Sequence, residues 1–498
     1  MSSASICVTS WYSARPRLLA TSGCSMTSVM GRRRDLLVGA ATCAPGNMRM
    51  LSPVSLMIVC LLAVVLTGCV SDRHGSIASE SASSEPVSSP GPRFTHDGLN
   101  ADAYGVSMGY PIGDRSTFYR IPFVVGSHSH FERIFEGRLI RRAASPSRLA
   151  RTASEPTIHY TYAGESYTLD DYLARHPVTG FLVARDDTIF IERYQYARND
   201  RHRFVSHSMA KTVTAMLVGI ALAEGRIHSV DDPVARYVPE LSGTEYGGTT
   251  IRNLLQMSSG VQFREGAGVC TSRFLSSPFA DLCVFGDDVV RFVGDTFGQL
   301  GAGGVDAVRP FNQRVRPAGT QFSYASVDTH VLGLVLRSAV ARPLADYLQD
   351  RIWDPMGAEA DASWLIDRAG LEATFCCLNA VLRDYARFGL LLAHGGRWRG
   401  RQIIPATWLE DATHVRPDQA HRWIQVGATL FGYGYQVWIF EGKRRMFVAY
   451  GLDNQAIFVD PASRLVAVQT AVRDQSKVDP ANNEMIALWQ SLVRDLGG

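Results

Sequence analysis

The chain has little that would send it to a membrane interior, to nucleic acid or to a cofactor. Its apolar run Leu56–Leu66 is unbroken for only eleven residues, where a membrane-spanning helix needs about 20. Beyond residue 68 no cluster of lysine and arginine interleaved with aromatics occurs, so nucleic acid is not an expected partner. The first 68 residues carry six arginines and one aspartate, a net +5, so the +3 of the whole chain becomes −2 without them. There is no G-x-S-x-G elbow, no Rossmann glycine pattern, no H-E-x-x-H and no cysteine spacing of a metal site. No cofactor and no metal are expected.

What is present begins with a leader. Met48-Arg49-Met50 is a short positive start, Leu56–Leu66 suits the apolar region of a signal peptide, and Leu66-Thr67-Gly68-Cys69 follows. The last four residues resemble a bacterial lipobox, in which Cys69 is lipidated and opens the mature protein. Val70 behind it favours delivery to the periplasmic face of the outer membrane. Simple secretion into the soluble periplasm and a retained N-terminal anchor are the alternatives. Residues 1–47 read as an upstream extension with the true start at Met48 or Met50, or else as a twin-arginine signal at Arg32-Arg33-Arg34. Residues 70–95, with eight serines between Ser71 and Ser89, cannot bury enough apolar surface to order themselves and read as a tether.

Nine cysteines are distributed unevenly. Cys7, Cys24, Cys43 and Cys60 lie in the leader and Cys69 is the proposed anchor. Of the remaining four, Cys270 and Cys283 would close a short loop as a disulfide in an oxidising compartment. Adjacent Cys376 and Cys377 could bridge only with local backbone strain, so they are expected reduced and buried.

The folded part, 96–498, opens with an extended wrap to about 160 and a short helix at Thr168–Ala174. The β-rich runs 179–184 and 188–194 meet at Arg185-Asp186-Asp187 as a hairpin. A helix from Ser208 to about Glu224 stops at Gly225. Further helices are expected after Thr250, over 327–340 and over 378–394. Strands follow at 435–440, 446–450, 456–459 and 465–472, and a helix at 482–495 closes the chain. Joining the early hairpin to the late strands in one antiparallel sheet, with helices inserted between, leaves the fewest exposed edges. The fold class is therefore α+β.

The chemistry is carried by Ser208-Met209-Ala210-Lys211. A serine hydroxyl is a poor nucleophile near neutral pH and needs a neighbouring base. Residues i and i+3 share a helix face, which brings the Lys211 amine to Ser208 Oγ. An S-x-x-K match alone is weak. His207 reads as a surface or capping residue, Asp231-Asp232-Pro233 as a turn into a short helix, and His330 as structural.

Longer stretches add weight. FVSHSMAKTVTAMLVGIALAEG at 204–225, SVDDPVARYVPEL at 229–241, IRNLLQMSSGV at 251–261, FSYASVDTHVLGLVL at 322–336, LRDYARFGLLLAHGG at 382–396, GYGYQVW at 432–438 and YGLDNQAIFVDP at 450–461 occur in order. Together they resemble the serine β-lactamase and penicillin-binding-protein-like superfamily, and most nearly its 6-aminohexanoate-dimer hydrolase and family VIII esterase-like branch. The resemblance implies a central antiparallel sheet flanked by helices, with an inserted helical lobe at about 225–430. It implies Ser208, Lys211 and Tyr324 as a metal-independent catalytic set acting on a small ester or amide. Ser326 completes the Tyr-x-Ser motif and would bond Lys211 or substrate. Tyr450-Gly451-Leu452 stands where a Lys-Thr-Gly is common, without its lysine or hydroxyl, which disfavours β-lactam hydrolysis and transpeptidation. A phenol beside an ammonium is expected to ionise more easily than usual, which would make Tyr324 a proton relay. Asn454-Gln455 is expected to be less free than Gly-Gln to turn left-handed, and 262–285 is expected to border the cleft. D-amino-acid peptidase or weak β-lactamase activity, and a non-catalytic envelope binding protein, are the other readings.

Overall fold

The computed structural model describes residues 91–266, 286–298, 301–415, 419, 422–426, 429–472 and 481–498. The leader, Cys69, most of the tether, Cys270 and Cys283 lie outside these residues. Among the described residues no helix is long and apolar enough to cross a membrane.

One large sheet organises the chain. Its strands are β1 (Arg93–Phe94), β2 (Ala150–Arg151), β3 (Val178–Arg185), β4 (Thr188–Tyr194), β5 (Trp423–Val426), β6 (Thr429–Tyr433), β7 (Trp438–Phe440), β8 (Phe447–Gly451), β9 (Gln455–Asp460) and β10 (Leu465–Ala471). The spatial order is β1-β4-β3-β10-β9-β8-β7-β6-β5, with β2 also on β4. The early hairpin β3–β4 and the late meander are joined through antiparallel β3 and β10, where Leu182 faces Val468. Only the short β1 and β2 run parallel to their neighbour. Arg93–Phe94 thus pairs with the sheet inside the stretch read as tether.

Alternation along these strands serves two cores. Leu182, Ala184, Ile457, Val459, Val466 and Val468 face one side. Phe181, Val183, Ala456, Phe458, Leu465 and Ala467 face the other. Both faces are apolar because helices cover both, and each Val, Leu, Ile or Phe side chain taken from water contributes about 1.5–3 kcal/mol. The second face is closed by α1 (Leu169–Arg175) and α6 (Ala481–Leu496), whose Tyr172 and Trp489 are buried there. Thr168 starts α1 with a capping box, its hydroxyl accepting from Asp171 N–H while the Asp171 carboxylate accepts from Thr168 N–H.

The first face carries α2 (Met209–Ala223) and α5 (Leu382–Ala393). Between them in sequence come α3 (Asp287–Phe297) and α4 (Ser326–Val340) of the helical lobe. The stretch 225–430 also supplies Ala362–Leu365 and Leu378–Ala380 to a four-stranded sheet completed by Gly137–Ile140 and Phe204–Val205. Leu378–Ala380 is strand where the pattern suggested the start of a helix, because it pairs with Trp364 and Val205 on its two sides.

Helix α2 is apolar nearly all round, and Met209–Ala221 are all buried. That pattern belongs to a helix enclosed by other elements. Its Gly219 admits the Trp408 indole, for a Cβ there would stand 2.3 Å from Trp408 Cδ1, and Trp408 Nε1 donates to Ala215 O at 3.0 Å. Gly219→Ala is expected to lower stability by about 1–3 kcal/mol, despite a helix-propensity gain of about 1 kcal/mol. Thermal unfolding followed by circular dichroism checks this; unchanged or raised stability would mean the indole has room to move.

Candidate active site

Ser208 caps α2, and Lys211 lies one turn along, on the same face. Lys211 Nζ is 2.9 Å from Ser208 Oγ, 3.1 Å from Ser326 Oγ and 2.8 Å from the Phe375 carbonyl oxygen. The lysine is 1% exposed, and burial lowers its pKa from 10.5 to about 8, against the opposing charge of Glu265. A neutral amine has two N–H donors and one lone pair. Phe375 O can only accept, and Ser326 Oγ donates its own proton to Glu265 Oε1 at 2.7 Å. Those two acceptors satisfy the two N–H groups and leave the lone pair for the Ser208 hydroxyl.

Local structure fixes each partner. Thr214 on α2 donates to Thr374 O at 2.9 Å, holding the segment that presents Phe375 O. Ser206 N–H donates to Leu378 O, and Leu378 N–H returns a bond to Ser206 Oγ at 3.0 Å, so the chain before the nucleophile and the chain after Phe375 are stitched together. Cys376 and Cys377, expected to be reduced, are bonded to each other in this stitch. The left-handed Cys377 (φ 67°) supplies the backbone turn that the adjacent pair needs. Ser326 opens α4, where Glu265 accepts from both its N–H and its hydroxyl.

Tyr324 precedes α4 and lies at the same place. Its ring centroid is 5.0 Å from Lys211 Nζ, and its hydroxyl has Ser208 as a hydrogen-bonding partner. Its ionisation runs opposite to expectation. Burial first, and then the charge of Glu265, push the phenol above its ordinary value, and the bond to Ser208 offsets only part of this. Tyr324 is therefore a neutral phenol near pH 7, able to donate a proton. Beside it Phe322, Tyr433, Trp438 and Met257 form a small apolar cluster, with the Trp438 ring stacked on Tyr324 at 5.8 Å.

The end of β8 closes the other side. A Cβ on Gly451 would stand 2.5 Å from Ser206 O and 3.0 Å from Ser208 N, so β8 approaches the nucleophile backbone to backbone. Of its neighbours, Tyr450 turns toward the second core and donates to Asn454 Oδ1 at 2.6 Å, and Leu452 packs on the first core. Of this triplet, Gly451 is the residue whose backbone approaches Ser208. The loop after it does turn left-handed, at Asp453 (φ 58°) and Asn454 (φ 63°); short polar side chains tolerate that region.

His207 is neither a surface residue nor a cap. It is 7% exposed, because its own left-handed backbone (φ 42°) aims it inward. Burial, with His128 and Lys211 nearby, holds it well below the ordinary imidazole pKa. His128, His207 and Asp453 are the one group of three among the described residues whose donor atoms lie close enough to hold a metal ion. His330 is structural as expected, with Nε2 2.9 Å from Gly304 O. Asp231 and Asp232 are turn residues, bonded to Arg252 and Tyr237. Glu265 and the His128 group were missed by sequence reasoning; for Glu265 the signal was its place in the 262–285 stretch expected to border the cleft, of which residues 267–285 lie outside the described residues.

A serine, a buried lysine and a phenol thus meet beside an antiparallel sheet and a helical lobe. The Beta-lactamase family model matches residues 168–488, and the chain belongs to that family. It is 24% identical over 381 residues to the 6-aminohexanoate-dimer hydrolase of Paenarthrobacter ureafaciens, covering 72% of this chain and 88% of that one. A Bacillus anthracis structure provisionally titled a 6-aminohexanoate-dimer hydrolase superposes with a TM-score of 0.65 at 21% identity, covering 77% of this chain and 96% of that one. A family VIII carboxylesterase structure gives a TM-score of 0.47 at 18% identity, over 65% and 95% of the two chains.

Gly451→Ala is expected to lower kcat about 10²-fold or more, the scale of losing one oxyanion donor, with circular dichroism unchanged. Ester-hydrolysis kinetics check it, and a variant of normal kcat would show that the approach of β8 to Ser208 has no catalytic part.

Proposed function

We propose that the protein is a serine hydrolase that cleaves small ester or amide bonds through an acyl-enzyme, with 6-aminohexanoate-oligomer-like amides among its substrates. The observation that carries this is the 2.9 Å contact between Ser208 Oγ and a buried Lys211 whose pKa is lowered to about 8. Neutral Lys211 takes the Ser208 proton as Oγ attacks the carbonyl. Only the uncharged amine is competent, so acylation strengthens as pH rises through about 8. Backbone N–H groups at Ser208 and beyond Gly451 receive the oxyanion. The Tyr324 phenol protonates the leaving group and regains a proton from Lys211. Water then cleaves the ester at Ser208 by the reverse route.

Two features narrow the substrate. The aromatic cluster beside Tyr324 suits an apolar acyl or alkyl chain. Tyr450-Gly451-Leu452 lacks the lysine and the threonine hydroxyl of Lys-Thr-Gly, and the Tyr450 hydroxyl is bonded to Asn454 Oδ1, which weighs against an anionic β-lactam as substrate. The test is intact-mass spectrometry after a fluorophosphonate, beside turnover of a p-nitrophenyl butyrate ester. One adduct on Ser208, absent in Ser208→Ala and in a folded Lys211→Ala, is expected. Labelling unchanged in Ser208→Ala, or no turnover by the wild type, would overturn the reading and favour a binding protein.

For location, the proposal is a lipid anchor on Cys69. Each buried CH₂ of an acyl chain contributes roughly 0.8 kcal/mol, so several chains hold a protein stably. Cell fractionation should find the wild type in the membrane and Cys69→Ala in the soluble periplasm. Both proteins in the soluble fraction would contradict it.

A further inference from the structure

Beside the nucleophile, buried polar side chains from separate parts of the chain meet at one point. Tyr119 and His128 come from the N-terminal wrap, His207 is the residue before Ser208, and Asp453 follows β8. One donor atom from each of His128, His207 and Asp453 lies within 4.8 Å of the others. The two imidazole centroids are 5.0 Å apart at 73°. His207 Nε2 is 4.0 Å from Asp453 Oδ2, and the Tyr119 hydroxyl donates to the same carboxylate oxygen.

His207 Nε2 is buried without a hydrogen-bond partner, and the buried His128 ring has the Ala471 backbone as a hydrogen-bonding partner, which orients the imidazole and leaves its other nitrogen for a ligand. Buried polar nitrogens in folded proteins almost always have a partner, so the His207 Nε2 beside the second His128 nitrogen and the Asp453 carboxylate calls for an occupant. A gap of 4.0 Å is too wide for a hydrogen bond. It is close to what two bonds of about 2.0–2.1 Å to a shared ion would span, and a tetrahedral ion would draw the donors somewhat closer.

We propose that His128, His207 and Asp453 form a binding site for a divalent transition cation of the zinc class, with Tyr119 as the outer partner that orients the Asp453 carboxylate. Two imidazoles and one carboxylate are a donor set that such ions favour over calcium or magnesium, which prefer all-oxygen shells. A hydrogen bond from Tyr119 to a ligating carboxylate is the kind of outer support that metal ligands carry. The site is separate from Ser208, Lys211 and Tyr324, and no step of acyl transfer passes through it. Its effect is mechanical: one ion fastens the N-terminal wrap to the residue before the nucleophile and to the loop beyond Gly451.

The test uses the full chain expressed in zinc-supplemented medium and purified by gel filtration. Elemental analysis should find one zinc per chain in the wild type and less than a tenth of that in His128→Ala and in Asp453→Asn. The zinc-loaded wild type should melt several degrees higher than the chelated protein, and the variants should show no such shift. Zinc absorption spectroscopy on the wild type needs no variant to fold, and should show imidazole and oxygen donors without sulfur. A wild type that holds no zinc, zinc retained equally by both variants, or a sulfur shell from cysteine ligation would each overturn the proposal.

Discussion

Everything at the site depends on keeping one amine dry. In the proposed mechanism Lys211 can act as a base because burial costs its charged form solvation and lowers its pKa to about 8. The chain has 50 basic residues, of which only three are lysines, Lys211, Lys443 and Lys477. Arginine could not serve, since its guanidinium does not lose a proton at working pH. Burial alone would leave a donor without acceptors. The Phe375 carbonyl and the Ser326 hydroxyl supply them, so the amine is both desolvated and held in one orientation.

That requirement explains why distant segments converge. The start of α2 brings Ser208 and Lys211; the start of α4 and the residues before it bring Ser326 and Tyr324; the 374–378 stretch brings a carbonyl; β8 brings a backbone edge. Each is fixed by bonds that have no part in chemistry, such as Thr214 to Thr374 O and Ser206 to Leu378. Glu265 sits at the hinge of this arrangement. It fixes Ser326 and raises both Lys211 and Tyr324 in pKa, opposing burial at the lysine and adding to it at the phenol. Burial pushes the two groups apart in role, the lysine toward proton acceptor and the phenol toward proton donor, and Glu265 works against this at the lysine and with it at the phenol.

The sequence made the ends of the fold readable because their signals are local. The β-rich runs in 179–194 and 446–472, the glycine stop at Gly225 and the S-x-x-K spacing each need only a few neighbouring residues. Strands β5 and β6 were not anticipated: they lie in a stretch without strict alternation and are placed by pairing with each other and with β7. His207 was misplaced because a helix rule was applied to a residue whose positive φ puts it outside the helix. The Cys376–Cys377 bond depends on the same kind of backbone detail. The Tyr324 error was one of magnitude: a nearby amine was expected to dominate, and the cost of burying a phenolate is larger.

The most direct test of the account is the titration of Lys211 itself. With lysine labelled by ¹³C at Cε, three lysines give few enough resonances to follow, and the one missing from Lys211→Ala identifies the site. The account predicts that this resonance titrates with a midpoint of about 8, well below 10.5. A Lys211 resonance that titrates with the other lysines near their ordinary value would contradict the claim that burial makes this amine the base.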